Sequence, residues 1–197
     1  MPKAKNTVLN PETKQINLHR DLAKKAFAQH RLTQTLNQGL YRSWRCAKPG
    51  SGIYGFDFTT IPGSLFVVGD IGSLIVSREA DMIPWCRKAI DDVHYFASKV
   101  SGSIQKRGYD SSVAAAWVDE QLKNEEGYYS DASLLTLGGL RGEIHDEYAF
   151  KMGLNESGLV HGCDFPDFSN YTSEFLWCRE AVLWMLAKLP EVRPCSQ

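Results

Sequence analysis

Two short stretches of the chain bring an imidazole close enough to carboxylates to suggest proton transfer. In DDVH, Asp91 and His94 stand three residues apart, a spacing that puts both on one face of a helix. In EIHDEY, Glu143, His145, Asp146 and Glu147 crowd together in the same way. A general acid or base needs an orienting partner and a target within hydrogen-bond reach, and either cluster supplies the partner. A histidine on any solvated acidic face gives the same pattern, and that plainer reading is preferred for both. Asp70 lies in GDIG, between two apolar runs. It has no second carboxylate at a set spacing and no lysine after it as in a phosphate loop, so GDIG reads as a hairpin bend with Asp70 bonded to its own backbone. An enzymatic reading, such as a metal-dependent nuclease or a nucleotide-processing activity, would rest on Asp70, Asp91, His94, Glu143 and His145.

Metal and thiol chemistry find less. His161 and Cys163 in HGCDF form half of a tetrahedral zinc site, but no CxxC and no second close pair completes it. They remain the metal candidates, and the reading is that the chain carries no cofactor. Neither the zinc-deaminase pattern nor a G-x-S-x-G elbow occurs. The five cysteines are odd in number and widely spaced, and Cys46, Cys86 and Cys178 sit in WRC, PWC and LWC. Buried thiols in a reducing cytosol are expected.

The net charge of −1 hides an asymmetry. Residues 1–48 carry ten Lys or Arg against Glu12 and Asp21, whereas residues 91–180 carry 16 acidic groups against seven basic ones. Arg20, Lys24 and Arg31, at spacings of four and seven with Lys25 beside them, would line a basic helical ridge able to touch phosphates. No helix-turn-helix or comparable module accompanies it, so sequence-specific DNA recognition is unsupported. The acidic section, with Glu143, Asp146 and Glu147 at its densest point, would suit a basic partner. The plainer reading, that the two regions pack together and neutralise one another, is preferred to both.

These residues are positioned by an expected α+β fold. Residues 1–16 read as a loose basic arm, and residues 17–197 as a single domain. Asn17 caps an amphipathic helix whose stripe (Leu18, Leu22, Ala26, Phe27, Leu32, Leu36 and Leu40) runs to a stop at Gly39. Residues 40–78 then change period. Short β-branched and aromatic runs, separated by KPGSG, IPG and DIG, can only be antiparallel neighbours, which gives a four-stranded meander. A block of helices on one sheet face follows. Asp81 caps the first, whose stripe runs from Trp85 through Val93 to Ala97. Asp110 or Ser111 caps the second, a third spans about Leu140 to Met152 after a Gly-rich kink, and a central buried helix runs from Asn170 to Leu189. The N-terminus lacks the apolar core of a secretory signal, and FLWCREAVLWMLAKL is broken by Arg179 and Glu180 and too short to span a bilayer, so no membrane role is expected.

Trp44, Phe58, Pro62, Gly63, Leu65, Val67, Gly69, Asp70, Asp81, Met82, Trp85, Tyr95, Phe96 and Lys99 form the pattern W…F-x4-P-G-x-L-x-V-x-G-D…D-M-x-x-W…Y-F-x-x-K. This pattern, with the closing FLWCREAV, resembles a recurring group of uncharacterised bacteriophage and prophage proteins. The resemblance covers residues 44–100 and the closing helix, and carries over no catalytic residue. It implies a phage-encoded accessory protein in the cytoplasm of a bacterial host, one that binds and inhibits a host defence or regulatory complex, in the manner of an anti-CRISPR, rather than an enzyme. The partner would be a host protein or ribonucleoprotein. Nucleic-acid binding through residues 1–48 is the remaining alternative.

Overall fold

The computed structural model describes residues 10–102, 104–123, 130–160 and 165–189. The chain divides into two compact units, one of residues 1–14 with 107–170 and one of residues 15–106 with 171–197. Each unit has its own apolar core.

In the second unit, β1 (Arg31–Gln38), β2 (Tyr41–Ala47), β3 (Phe56–Ile61), β4 (Ser64–Gly69), β5 (Gly72–Ser77) and β6 (Val100–Ser101) form one antiparallel sheet in chain order. The expected meander is present as β2 to β5, extended by one strand at each edge. Alternation sorts its side chains, because successive residues of a strand face opposite sides. Trp44 and Cys46, Phe56 and Phe58, Leu65 and Val67, and Leu74 and Val76 are all buried. The register places Trp44 opposite Phe58, Phe58 opposite Val67 and Val67 opposite Leu74, so one apolar row crosses four strands. Against this face packs α7 (Ser173–Lys188), capped by Thr172, whose hydroxyl accepts from the Phe175 N–H at 3.2 Å.

The first helix departs from expectation. Helix α1 spans Pro11–Ala26, so residues 11–16 are helical rather than a loose arm. The Asn10 Oδ1 accepts from the Glu12 N–H at 2.9 Å and proline takes the first helical position, a start signal that competes with Asn17 and wins. The helix then stops twelve residues early, and residues 31–38 form β1. Leu32 and Leu36 misled because a spacing of four satisfies a strand of period two as well as a helix of period 3.6. Gly39, at φ +62°, opens a two-residue hairpin loop between β1 and β2 instead of ending a helix.

Two further helices are divided. α2 (Met82–Ala89) and α3 (Val93–Ser98) replace one continuous stripe, since the Asp92 Oδ1 accepts from the Tyr95 N–H at 2.9 Å and starts a new helix. In the first unit, a ribbon of β7 (Arg107–Tyr109) and β8 (Ser169–Tyr171) accompanies α4 (Ser111–Lys123), α5 (Asp131–Leu140) and α6 (Glu147–Glu156). The helix expected over 140–152 is instead the end of α5, a set of turns and the start of α6. The Asp146 Oδ1 accepts from Tyr148 and Ala149 N–H at 2.9 and 3.0 Å, and so restarts the chain as helix. Ala114, Val118, Leu140, Ile144, Phe150, Leu154, Val160 and Phe168 make this unit's core. No helix among the described residues is long and apolar enough to cross a membrane.

The bend at GDIG is a two-residue loop between β4 and β5, with Gly72 at φ +110°. Ile71 turns into the core, and the Asp70 Oδ2 accepts from the Tyr54 N–H at 2.8 Å, tying the bend to the β2–β3 loop rather than to its own backbone. A Cβ at Gly69 would collide with the Gly55 carbonyl and the Phe56 backbone. Gly69→Ala is therefore expected to lower unfolding free energy in urea by about 2 kcal/mol, while Ser73→Ala, exposed on β5, changes it by less than ~0.5 kcal/mol.

Candidate functional site

The residues singled out for catalysis belong to different elements, Asp70, Asp91 and His94 in the second unit and Glu143 and His145 in the first. Asp70 is held at the hairpin. Asp91 lies in the turn between α2 and α3, and His94 on α3 shares a hydrogen bond of 2.8 Å between its Nδ1 and the Tyr171 hydroxyl. Glu143 and His145 are exposed in the turns before α6, while Asp146 caps that helix and Glu147 pairs with Lys151 at 2.6 Å. His161 and Cys163 lie outside the described residues. Among the described residues no group of three or more His, Cys, Asp or Glu side chains could hold a metal ion. Burial pushes the thiols of Cys46, Cys86 and Cys178 up to about 12, reinforced at Cys46 by Asp57 and at Cys178 by Glu174. Almost no thiolate forms there at neutral pH, so none of the three is a nucleophile.

The basic ridge is likewise divided. Arg20, Lys24 and Lys25 are on α1, but Arg31 is the first residue of β1, a correction that follows from the early end of the helix. Lys24 pairs with Asp21 at 3.2 Å on the surface. Arg20 turns instead toward Glu180, its Nε 3.9 Å from the Oε2. Together with Ala23, Lys24, Phe27, Asp91, Leu183 and Trp184 they line a cleft of about 330 Å³. The structure thus gathers Arg20, Lys24 and Asp91, drawn from unrelated sequence readings, around a carboxylate that the sequence reading passed over.

Glu180 belongs to a buried ion pair inside α7. Arg179 is 1% exposed and Glu180 5%. The Arg179 Nη1 donates to the Glu180 Oε1 at 2.7 Å, and its Nη2 donates to the Ile90 carbonyl at 2.7 Å. Desolvation raises the Glu180 carboxyl above its ordinary value, and Arg179, Arg20 and His19 pull it back. Desolvation lowers the Arg179 guanidinium, partly opposed by Glu180. The available signal was the position of this pair in a helix apolar on most sides: charges there have nowhere to go but inward.

The second candidate place is the outer face of α6 in the first unit. Tyr148 is 75% exposed and Met152 41%, and with Asp146, Glu147, Lys151, Asn155 and Phe165 they line an open hollow of about 740 Å³. Its setting is acidic, since residues 107–170 carry twelve Asp or Glu against four Lys or Arg. The local field is felt at Tyr109, whose phenol is raised by burial and further by Glu147, Asp110 and Asp146. The hollow thus joins an exposed aromatic and a thioether to two carboxylates, one of which is paired with Lys151.

Comparison with family models, curated proteins and solved structures yields no match to this chain.

Breaking the buried pair is expected to be worse than removing it. Glu180→Ala leaves Arg179 charged and unpaired and should cost about 3–5 kcal/mol in chemical denaturation, whereas Arg179→Met combined with Glu180→Leu should recover most of that loss. The thiols give a second test. At pH 8 an aromatic disulfide reagent should leave Cys46, Cys86 and Cys178 unmodified in native protein, as mapped by mass spectrometry, and modify all three in denaturant. Rapid native labelling of any of them would contradict its buried, protonated state.

Proposed function

We propose that this chain is a phage-encoded accessory protein of the bacterial cytoplasm that works by binding, occupying a basic surface of a host defence or regulatory complex, of which a nucleic-acid-guided complex is the leading kind. The observation that carries this reading is the exposed Tyr148 and Met152 of α6 beside Asp146 and Glu147, in a segment, residues 107–170, that carries twelve acidic groups against four basic ones. Nucleic-acid-guided complexes bind phosphate backbones through positively charged channels. A protein surface rich in carboxylates competes for such a channel by the same Coulomb attraction, and exposed aromatic and thioether groups add the short-range packing that charge alone does not give. The phage assignment is supported by the motif resemblance over residues 44–100. Asp70 is tied to the β2–β3 loop and His94 to Tyr171 in one unit, while Glu143 and His145 are exposed in turns of the other, which supports binding over the enzymatic alternative.

The test is co-purification. A tagged copy expressed in a bacterial host carrying varied defence systems should bring down a stoichiometric protein or ribonucleoprotein that survives nuclease treatment. Combining Glu143→Lys with Tyr148→Ala should weaken the complex about tenfold or more without changing the melting temperature of the free protein, and affinity should fall with added salt. Turnover of a nucleotide or nucleic acid by pure protein, abolished by Asp70→Ala or His94→Ala, would overturn the reading in favour of an enzyme.

A further inference from the structure

The cleft between α1 and α7 carries a chemistry independent of the α6 face. Glu180 is a carboxylate 5% exposed, yet it lines open space. Its Oε1 is occupied by Arg179 at 2.7 Å, while its Oε2 faces the Arg20 Nε at 3.9 Å, beyond hydrogen-bond length. An acceptor and a guanidinium donor therefore face each other as a long ion pair rather than a hydrogen bond. A ligand that accepts from Arg20 and donates to Glu180 exchanges that loose contact for two hydrogen bonds. Trp184, Leu183, Ala23 and Phe27 give the same space an apolar wall, and Asp91 and Lys24 complete its lining.

The geometry points to a binding site for a flat heteroaromatic base with a lactam edge, guanine as its nucleotide. The base presents the O6 acceptor directly beside the N1–H and N2–H₂ donors, so O6 meets Arg20 while the N–H groups meet Glu180, with Asp91 as a further acceptor. The ring has an apolar wall to lie against, and Lys24 offers a cation for the phosphate. Adenine reverses the pattern, since its amino group would meet the Arg20 donor and its N1 acceptor would meet the Glu180 carboxylate. A bare anion fails differently, because two carboxylates share the cleft with the two cations. The volume of about 330 Å³ is at the small end of the range for small-molecule sites and holds a nucleobase.

Glu180 also anchors Arg179, so the decisive substitution is at Arg20, whose side chain is 41% exposed and whose removal leaves the core intact. Calorimetry on the full chain, with GMP, AMP and inorganic phosphate as separate titrants, reads the affinity directly, and tryptophan fluorescence follows the same titrations. GMP should bind, AMP should bind about tenfold or more weaker, and phosphate should not displace GMP. Arg20→Ala should weaken GMP by about tenfold or more while the melting temperature is retained. Absence of GMP binding at millimolar concentration would overturn the proposal. So would equal affinity for GMP and AMP, displacement by phosphate, or GMP affinity untouched by Arg20→Ala. None of these outcomes bears on partner capture through α6, which is read by co-purification of Tyr148 variants.

Discussion

Helix α7 is apolar on most of its circumference, and a helix of that kind has to be enclosed rather than merely laid on a surface. Phe175, Leu176, Cys178, Ala181, Val182, Met185 and Leu186 are all buried. The alternating strands provide one wall, through Trp44, Phe56, Phe58, Leu65, Val67, Leu74 and Val76. The contact is close enough for the Cys46 thiol to reach the Met185 sulfur at 3.0 Å. Other sides are closed by Ala23 and Phe27 of α1 and its following turn, by Met82, Ile83 and Cys86 of α2 and by Phe96 of α3. At about 1.5–3 kcal/mol for each fully buried large apolar side chain, this enclosure dominates the folding free energy of the unit. The bend at GDIG serves it too, since Ile71 turns into the same core.

Enclosing α7 forces a consequence on Arg179 and Glu180. Adjacent residues of a helix point about 100° apart, so a helix covered on most sides cannot direct both to water. The pair survives burial by satisfying one another and by using a helix end: Arg179 donates to the carbonyl of Ile90, which follows the last turn of α2. Burial presses both groups toward their neutral forms and their mutual attraction opposes it, the balance expected of a pair held out of water. Geometry this fixed keeps the Glu180 Oε2 in place at the cleft without help from a ligand, a condition for selective recognition.

Much of the architecture was legible because its signals were local and redundant. Phe56 and Phe58 alternate with Asp57, Pro62-Gly63 and Asp70-Ile71 turn, and connectors that short allow only antiparallel neighbours, so the meander followed with its direction. Tyr54, whose spacing put it on the same face as Phe56 and Phe58, instead lies before β3 at φ +56° and is exposed. Asp81 was legible as a cap because Pro84 stands in the first turn behind it. The errors came where one pattern served two periods or where a tertiary partner decided. Leu32 and Leu36 suit a helix and a strand equally, and only pairing with β2 resolves them as β1. Val100–Ser101 is too short to be read as a strand without β5 beside it. Gly138 and Gly139 looked like a kink but lie in the last turn of α5. The cleft was not legible at all. Arg20, Asp91 and Glu180 come from three distant segments, and no spacing in the chain announces that α1, the α2–α3 turn and α7 meet.

A net charge of −1 would suggest a protein indifferent to the charge of its partners, and the fold shows why that inference fails. Charge is divided by unit: residues 107–170 hold twelve acidic groups against four basic, whereas residues 15–106 and 171–197 hold ten against fifteen. At physiological salt the field of a charge decays over about 8 Å, so a partner approaching one surface senses that surface and not the sum. The field at the α6 face is therefore set by its own charges rather than by the net charge of the chain. The cleft at Glu180 stands on the other unit, where two cations and two carboxylates balance and recognition has to come from hydrogen-bond direction and ring shape instead of net attraction. Long-range charge governs encounter and short-range pairing governs discrimination. A chain that segregates its charge by unit can hold one surface of each kind while remaining almost neutral.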